Sequence, residues 1–194
     1  MHRLRALCDA VIVGAGTIAA DDPRLTTRLV DGSNPVRVVL DPGRRLPADH
    51  RVFSDNGAET LYVCARDLVG EGESRFGHAE VLPIAGASEG LDLDELMAAL
   101  RARGCTRVFV EGGGITVSTF LQANLLDRLH LAIAPLLIGD GRAAIRLPAP
   151  TLLGECHRPE YRVFRMGGDV LFDCNLRARS EAPPADDTPI SRVI

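Results

Sequence analysis

The stretch AVIVGAGTIAADDPRLTTR, residues 10–28, decides the fold. Its apolar run Val11-Ile12-Val13 leads into Gly14-Ala15-Gly16-Thr17-Ile18-Ala19, which fits the dinucleotide fingerprint G-x-G-x-x-A. A second apolar run, Val36 to Leu40, ends in Asp41, where an acidic ribose ligand belongs. In a Rossmann unit, however, the glycine turn opens a helix that crosses to the next parallel strand. Here Asp21-Asp22-Pro23 arrives within about a turn of Thr17, and proline with its restricted predecessor ends a helix. Residues 24–35 are polar and carry no helical apolar face. The fingerprint is a decoy, and the stretch predicts a strand followed by a helix too short to be a crossover.

Working outward, short β-branched runs recur at 10–14, 36–41, 60–65, 79–85, 107–112 and 129–135, bounded by Gly, Pro and Asp. Two helices separate the later ones. Residues 91–104 place Leu93, Leu96, Met97 and Leu100 on one face, with an acidic start and a basic end before Gly104. Residues 114–126 follow directly on a glycine triplet. Nearly continuous apolar strands flanked by helices imply a mostly parallel sheet covered on both faces. EYRVFRMGGDVLFDCNL (160–176) reads as an antiparallel hairpin at the sheet edge, turning at Gly-Gly-Asp. From residue 179 the chain is Pro- and Asp-rich, which predicts a domain over 1–178 and a flexible tail over 179–194.

With 194 residues the chain has room for one such domain. It is 46% hydrophobic with no Trp, so Ala, Val, Leu and Ile must build the core. A net charge of −4 with interspersed signs gives no footprint for nucleic acid. No apolar run reaches the roughly 20 residues of a membrane span, and MHRLRALCDA lacks the apolar region of a signal peptide. Five scattered cysteines, an odd number without a C-x-x-C pair, fit reduced thiols in the cytoplasm and no metal site.

RVFVEGGGITVSTFL (107–121) sets Gly112, Gly113 and Gly114 between a strand and a helix. Bare backbone N–H groups at a helix start can approach a pyrophosphate closely, and Thr116 and Ser118 could add hydroxyls. A permissive turn needs one glycine, so three in succession favour an anion site.

Taken together, LRALCDAVIVGAGTIAADDPRLTTR, VRVVLDPGRRLP and VFVEGGGITVSTFLQANLLDRLHLAIAPLLIGDG resemble the reductase domain of bacterial riboflavin biosynthesis. That domain is the 5-amino-6-(5-phosphoribosylamino)uracil reductase. The resemblance spans residues 2 to about 176 and implies a dihydrofolate-reductase-like α/β sandwich. It also implies NADPH as hydride donor and a phosphorylated pyrimidine ribotide as substrate, whose ribosyl group becomes ribityl. Matched motif to motif, Thr17 and Asp21 fall at the cofactor near the reacting centre, and Arg5, Leu25 and Arg28 fall at the substrate. Glu111 falls at the strand-end acid on the substrate side, and Gly112, Gly113, Gly114, Ile115 and Thr116 at the pyrophosphate loop. Asp21 and Glu111 are the candidate catalytic acids. Guanidinium forks suit phosphate oxygens, so Arg5 and Arg28 could clamp the 5′-phosphate.

Plainer readings stand beside these. Asp21 and Asp22 could simply turn the chain before Pro23, and Arg5 and Arg28 could be solvated surface charges. Arg44 and Arg45 could meet a cofactor 2′-phosphate or lie in a solvated turn. The same fold could also reduce another heterocycle, dihydrofolate or a specialised metabolite, or bind cofactor without turnover.

The family's domain normally opens with a further strand and an S-x-D-G loop, and this sequence starts in the helix after them. A late start site, a degenerate paralogue, or another segment filling the gap would each account for it. The apolar run LHLAIAPLLIG (129–139) predicts a two-fold homodimer through the C-terminal strands.

Overall fold

The computed structural model describes residues 1–87, 90–149, 152, 156 and 158–179. The chain opens with α1 (His2–Ala6) and β1 (Ala10–Gly14), and Gly14 leads into α2 (Ala15–Asp21). Asp22 then takes a left-handed backbone, φ 40°, and Pro23 follows. The helix runs two turns where the sequence predicts one, because proline restricts only the residue before it and Asp21 stays helical. The connection is a crossover all the same, since β2 pairs parallel to β1, but α2 covers only its first third and residues 22–35 complete it without a helix.

After β2 (Val36–Leu40) come α3 (Arg51–Ser54), β3 (Thr60–Ala65), β4 (Arg75–Phe76) and β5 (Ala79–Ile84). A small hairpin, β6 (Gly86–Ala87) with β7 (Gly90–Leu91), precedes α4 (Leu93–Ala102), β8 (Val108–Val110) and α5 (Gly114–Gln122). Six strands form one sheet in the order β4-β5-β3-β2-β1-β8, parallel except at the β4 edge. Residues 10–13 of β1 and all of β3 are buried on both faces, as near-continuous apolar strands in a parallel sheet must be. Asp92 caps α4 by accepting from the Glu95 N–H at 3.0 Å, and Leu96 and Leu100 carry its buried stripe. α5 stops at Gln122, short of the expected Leu126, because Asn124 adopts a left-handed φ of 54°.

Arg37 is the exception within an apolar strand, since it is fully buried in β2. Its guanidinium donates to Thr60 Oγ1 and Asp55 Oδ1, both at 2.7 Å, and to the Ala58 carbonyl at 2.9 Å. A buried charge survives only when its donors are met in this way.

Residues 1–123 with 143–146 form one compact unit, and Asn124–Arg142 with the chain from Leu147 form a second. In the second, β9 (Arg128–Ile133), β10 (Pro159–Met166) and β11 (Asp169–Arg179) pair antiparallel in the order β10-β11-β9. The Gly-Gly turn is as expected, with Gly167 at φ 65°. The hairpin, though, belongs to its own three-stranded sheet and does not edge the parallel one. Alternation fixes which face of a strand is apolar, not which strand lies beside it. Arg179, the expected start of the tail, still ends β11, and the rest of the expected tail, 180–194, lies outside the described residues. No helix among the described residues is long and apolar enough to cross a membrane.

Candidate active site

Parallel pairing of β1 with β8 brings two glycine loops side by side. The Glu111 N–H donates to the Ile12 carbonyl at 2.8 Å, so Gly112–Gly114 leave the sheet next to Gly14–Thr17. Each loop makes room for the other's threonine. A Cβ on Gly14 would collide with Thr116 Oγ1, and a Cβ on Gly113 would stand 3.2 Å from Thr17 Oγ1. Gly112 and Gly113 also have φ of 91° and 52°, which glycine adopts without strain. Gly114 serves differently, because its missing Cβ admits the Ala143 and Ala144 carbonyls. No side chain caps α5, so its leading N–H groups stay available to an anion.

Ser118, expected to offer a hydroxyl, is buried and spent on structure. It donates to the Gly114 carbonyl at 2.5 Å and accepts from the Arg146 N–H at 2.7 Å. Ile115 is 77% exposed. Asp21 lies one turn beyond Thr17 on the same face of α2, exposed and without a partner among the described residues.

Arg5 is no solvated charge. It is 6% exposed and grips Glu111 with both arms of its fork, Nε to Oε2 at 2.7 Å and Nη2 to Oε1 at 2.5 Å. Its Nη1 donates to the Thr26 carbonyl at 3.1 Å. The pair therefore ties α1, the segment after α2 and the end of β8 to one point. Leu25 sits in the core at φ 56°, so its side chain faces packing and only its backbone can meet a ligand. Arg28 is exposed and lines an open cavity of about 760 Å³ with Arg24, Thr27, Asn34, Arg51 and Asp55. Thr26 also lines it, which leaves the cavity one guanidinium and two hydrogen bonds away from Glu111.

Residues 1–161 match the RibD C-terminal domain model. The chain belongs to that family. Among curated relatives, the domain is 34% identical over 183 residues to a 2,5-diamino-6-ribosylamino-4(3H)-pyrimidinone 5′-phosphate reductase of Methanothermobacter thermautotrophicus. That alignment covers 91% of this chain and 84% of the relative. A protein of the same name from Archaeoglobus fulgidus is 34% identical over 166 residues, 80% of this chain and 75% of the relative. Among solved structures, the domain superposes with a TM-score of 0.70 and 27% identity on a Thermotoga maritima diaminohydroxyphosphoribosylaminopyrimidine deaminase/5-amino-6-(5-phosphoribosylamino)uracil reductase. The superposition covers 90% of this chain but 47% of that one, about half its length.

The two arginines after β2 have parted company in this RibD C-terminal domain. Arg44 is held by Glu73 at 2.5 and 2.7 Å, with its guanidinium 5.8 Å from the Tyr62 ring centre and 5.7 Å from that of Phe76. Arg45 is left largely exposed. Burial, then the hydrogen bond to Asp41, pushes the Tyr62 hydroxyl well above its usual range, so it stays a donor. Sequence reasoning missed Arg24 and Arg51 in the cavity. Arginine in a polar loop looks the same whether solvated or lining a cleft.

Proposed function

We propose that this chain is an NADPH-dependent reductase of riboflavin biosynthesis. It converts the ribosyl group of a phosphoribosylaminopyrimidine to the ribityl form. The observation that carries this reading is the pair of interlocked glycine loops at adjacent strand ends, beside the Arg5–Glu111 ion pair. The names of the archaeal relatives support the substrate class.

The loops fit a dinucleotide pyrophosphate. They present uncapped N–H groups at the start of α5 with Thr17 and Thr116 beside them, and the space where a Cβ of Gly16 would stand is open. NADPH, when bound, supplies the hydride for C1′. Opening and reducing the sugar consumes that hydride and one proton, which goes to the oxygen released from C1′. Asp21, free and one turn from Thr17, is the group we assign to the proton. Glu111, held in one orientation by Arg5, accepts from amino and hydroxyl groups of the substrate, and the fixed orientation is itself catalytic. Arg28 reads the 5′-phosphate from the cavity, and Arg5 serves by steadying Glu111. The protein acts as a cytoplasmic homodimer.

A reductase of another heterocycle is the second reading, and the free Arg28 in a cavity argues against it. The test follows NADPH oxidation with 5-amino-6-(5-phosphoribosylamino)uracil, its 2,5-diamino counterpart and a dephospho analogue. Turnover of a phosphorylated substrate is expected. Arg28→Ala should raise its KM by the equivalent of about 2–5 kcal/mol, roughly thirtyfold or more, and leave the dephospho analogue nearly unchanged. Equal losses on both point to the second reading. NADPH binding with no turnover of either pyrimidine leaves a cofactor-binding paralogue.

A further inference from the structure

Three arginines line the open cavity, Arg24, Arg28 and Arg51, and they are not held alike. The side chains of Arg24 and Arg28 make no hydrogen bond among the described residues, and both residues are exposed. Arg51 is anchored twice to one carboxylate. Its backbone N–H donates to Asp22 Oδ1 at 2.9 Å, and its Nε lies 3.2 Å from Asp22 Oδ2. Only that edge of the guanidinium is engaged, so Nη1 and Nη2 have no hydrogen bond among the described residues. Asp22 owes its place to the end of α2, where it takes a left-handed φ of 40°, a backbone that aspartate tolerates better than most residues.

The acids of the cavity wall do not cancel these charges. Asp55 is spent on the buried Arg37, whose Nη1 it receives at 2.7 Å, and on the Gly57 N–H at 3.0 Å. Asp31 is the other acid of the lining, and Asp22 stands outside it, so Asp22 orients Arg51 without facing the cavity. A guanidinium already held by one edge gives up less side-chain freedom on binding than a loose one. We propose that Arg51 is a second phosphate-binding arginine, acting with Arg28 on the substrate's 5′-phosphate, and that Asp22 is its positioning residue. Asp22 directly follows Asp21, so the end of α2 sets both the group assigned to the proton and the arginine that meets the phosphate. The assignment rests on the phosphorylated-substrate reading of the cavity.

Binding, not turnover, tests it. Calorimetric titration of the full chain should show ribose 5-phosphate bound and ribose not. Arg51→Ala should weaken ribose 5-phosphate roughly tenfold, the lower end for one charge-assisted hydrogen bond, and keep the thermal midpoint because Arg51 is exposed. Arg51→Lys should recover part of the loss, because it restores the charge but not the fork. Asp22→Asn still accepts the Arg51 N–H but gives up the charge beside Nε, so it should weaken the same probe several-fold. Combining Asp22→Asn with Arg51→Ala should then cost no more than Arg51→Ala alone. Losses that add in the double variant would overturn the positioning role of Asp22. Wild-type affinity in Arg51→Ala would overturn the role of Arg51, and a weakened Arg28→Ala beside it would leave the phosphate reading of the cavity standing. Binding of neither probe by the wild type would remove that reading and the assignment with it.

Discussion

Glu73 receives both arms of Arg44 at 2.5 and 2.7 Å and the Gly70 N–H at 3.0 Å. Those donors, Arg44 first, hold its carboxyl at about 2, below the ordinary 4.5. The folded value lies under the unfolded one, so the pair stabilises in full above about pH 4.5 and its contribution fades as pH falls towards 2. Glu73→Gln should therefore lie below the wild type in thermal midpoint at neutral pH, and the two should converge across that acid window. A gap constant with pH would mean the carboxylate's charge adds nothing. The same ion pair fixes Arg44 against Tyr62 and Phe76, while the adjacent Arg45 stays exposed.

At the scale of elements, the short α2 was legible because Asp-Asp-Pro acts locally, through backbone restriction alone. The parallel strands were legible too, since their apolar runs need no partner to be recognised. What escaped was pairing. That Arg5 would close on Glu111, 106 positions away, depends on where α1 packs, and no spacing rule carries that. That Gly14 serves Thr116 depends on β1 lying beside β8. The glycine triplet reads as one device in the sequence, yet Gly112 and Gly113 need positive φ while Gly114 admits passing backbone. Substituting Gly113 would strain the backbone whatever its ligand role, so Gly14, at φ −85°, is the cleaner probe. Gly14→Ala forces its methyl against Thr116 Oγ1 and should destabilise by about 1–3 kcal/mol, the usual cost of overpacking. Adding Thr116→Ala should restore much of that in a chemical-denaturation series. A Gly14→Ala protein as stable as the wild type would show that the loops do not interlock.

For the whole molecule, the second unit carries more apolar surface than a solvated sheet needs. Tyr161, Val163 and Ile133 are 61%, 53% and 49% exposed, and cross-strand register puts them on one face with Phe172 and Leu131. A contiguous apolar face of this kind marks an association surface. Light scattering at micromolar concentration should give the mass of a dimer, and Val163→Asp should shift it towards the monomer. A monomeric wild type would contradict the two-fold association.

The return of residues 143–146 to the first unit has a consequence for how the chain could come apart. Each unit contains polypeptide from both sides of Arg142, an exposed position. Sever the backbone there and β9 remains laddered to β11, while Ser118 still holds the Arg146 amide. The two fragments would be stitched together twice over, like cloth sewn with a backstitch, and no single scission between β9 and residue 143 sets either unit loose.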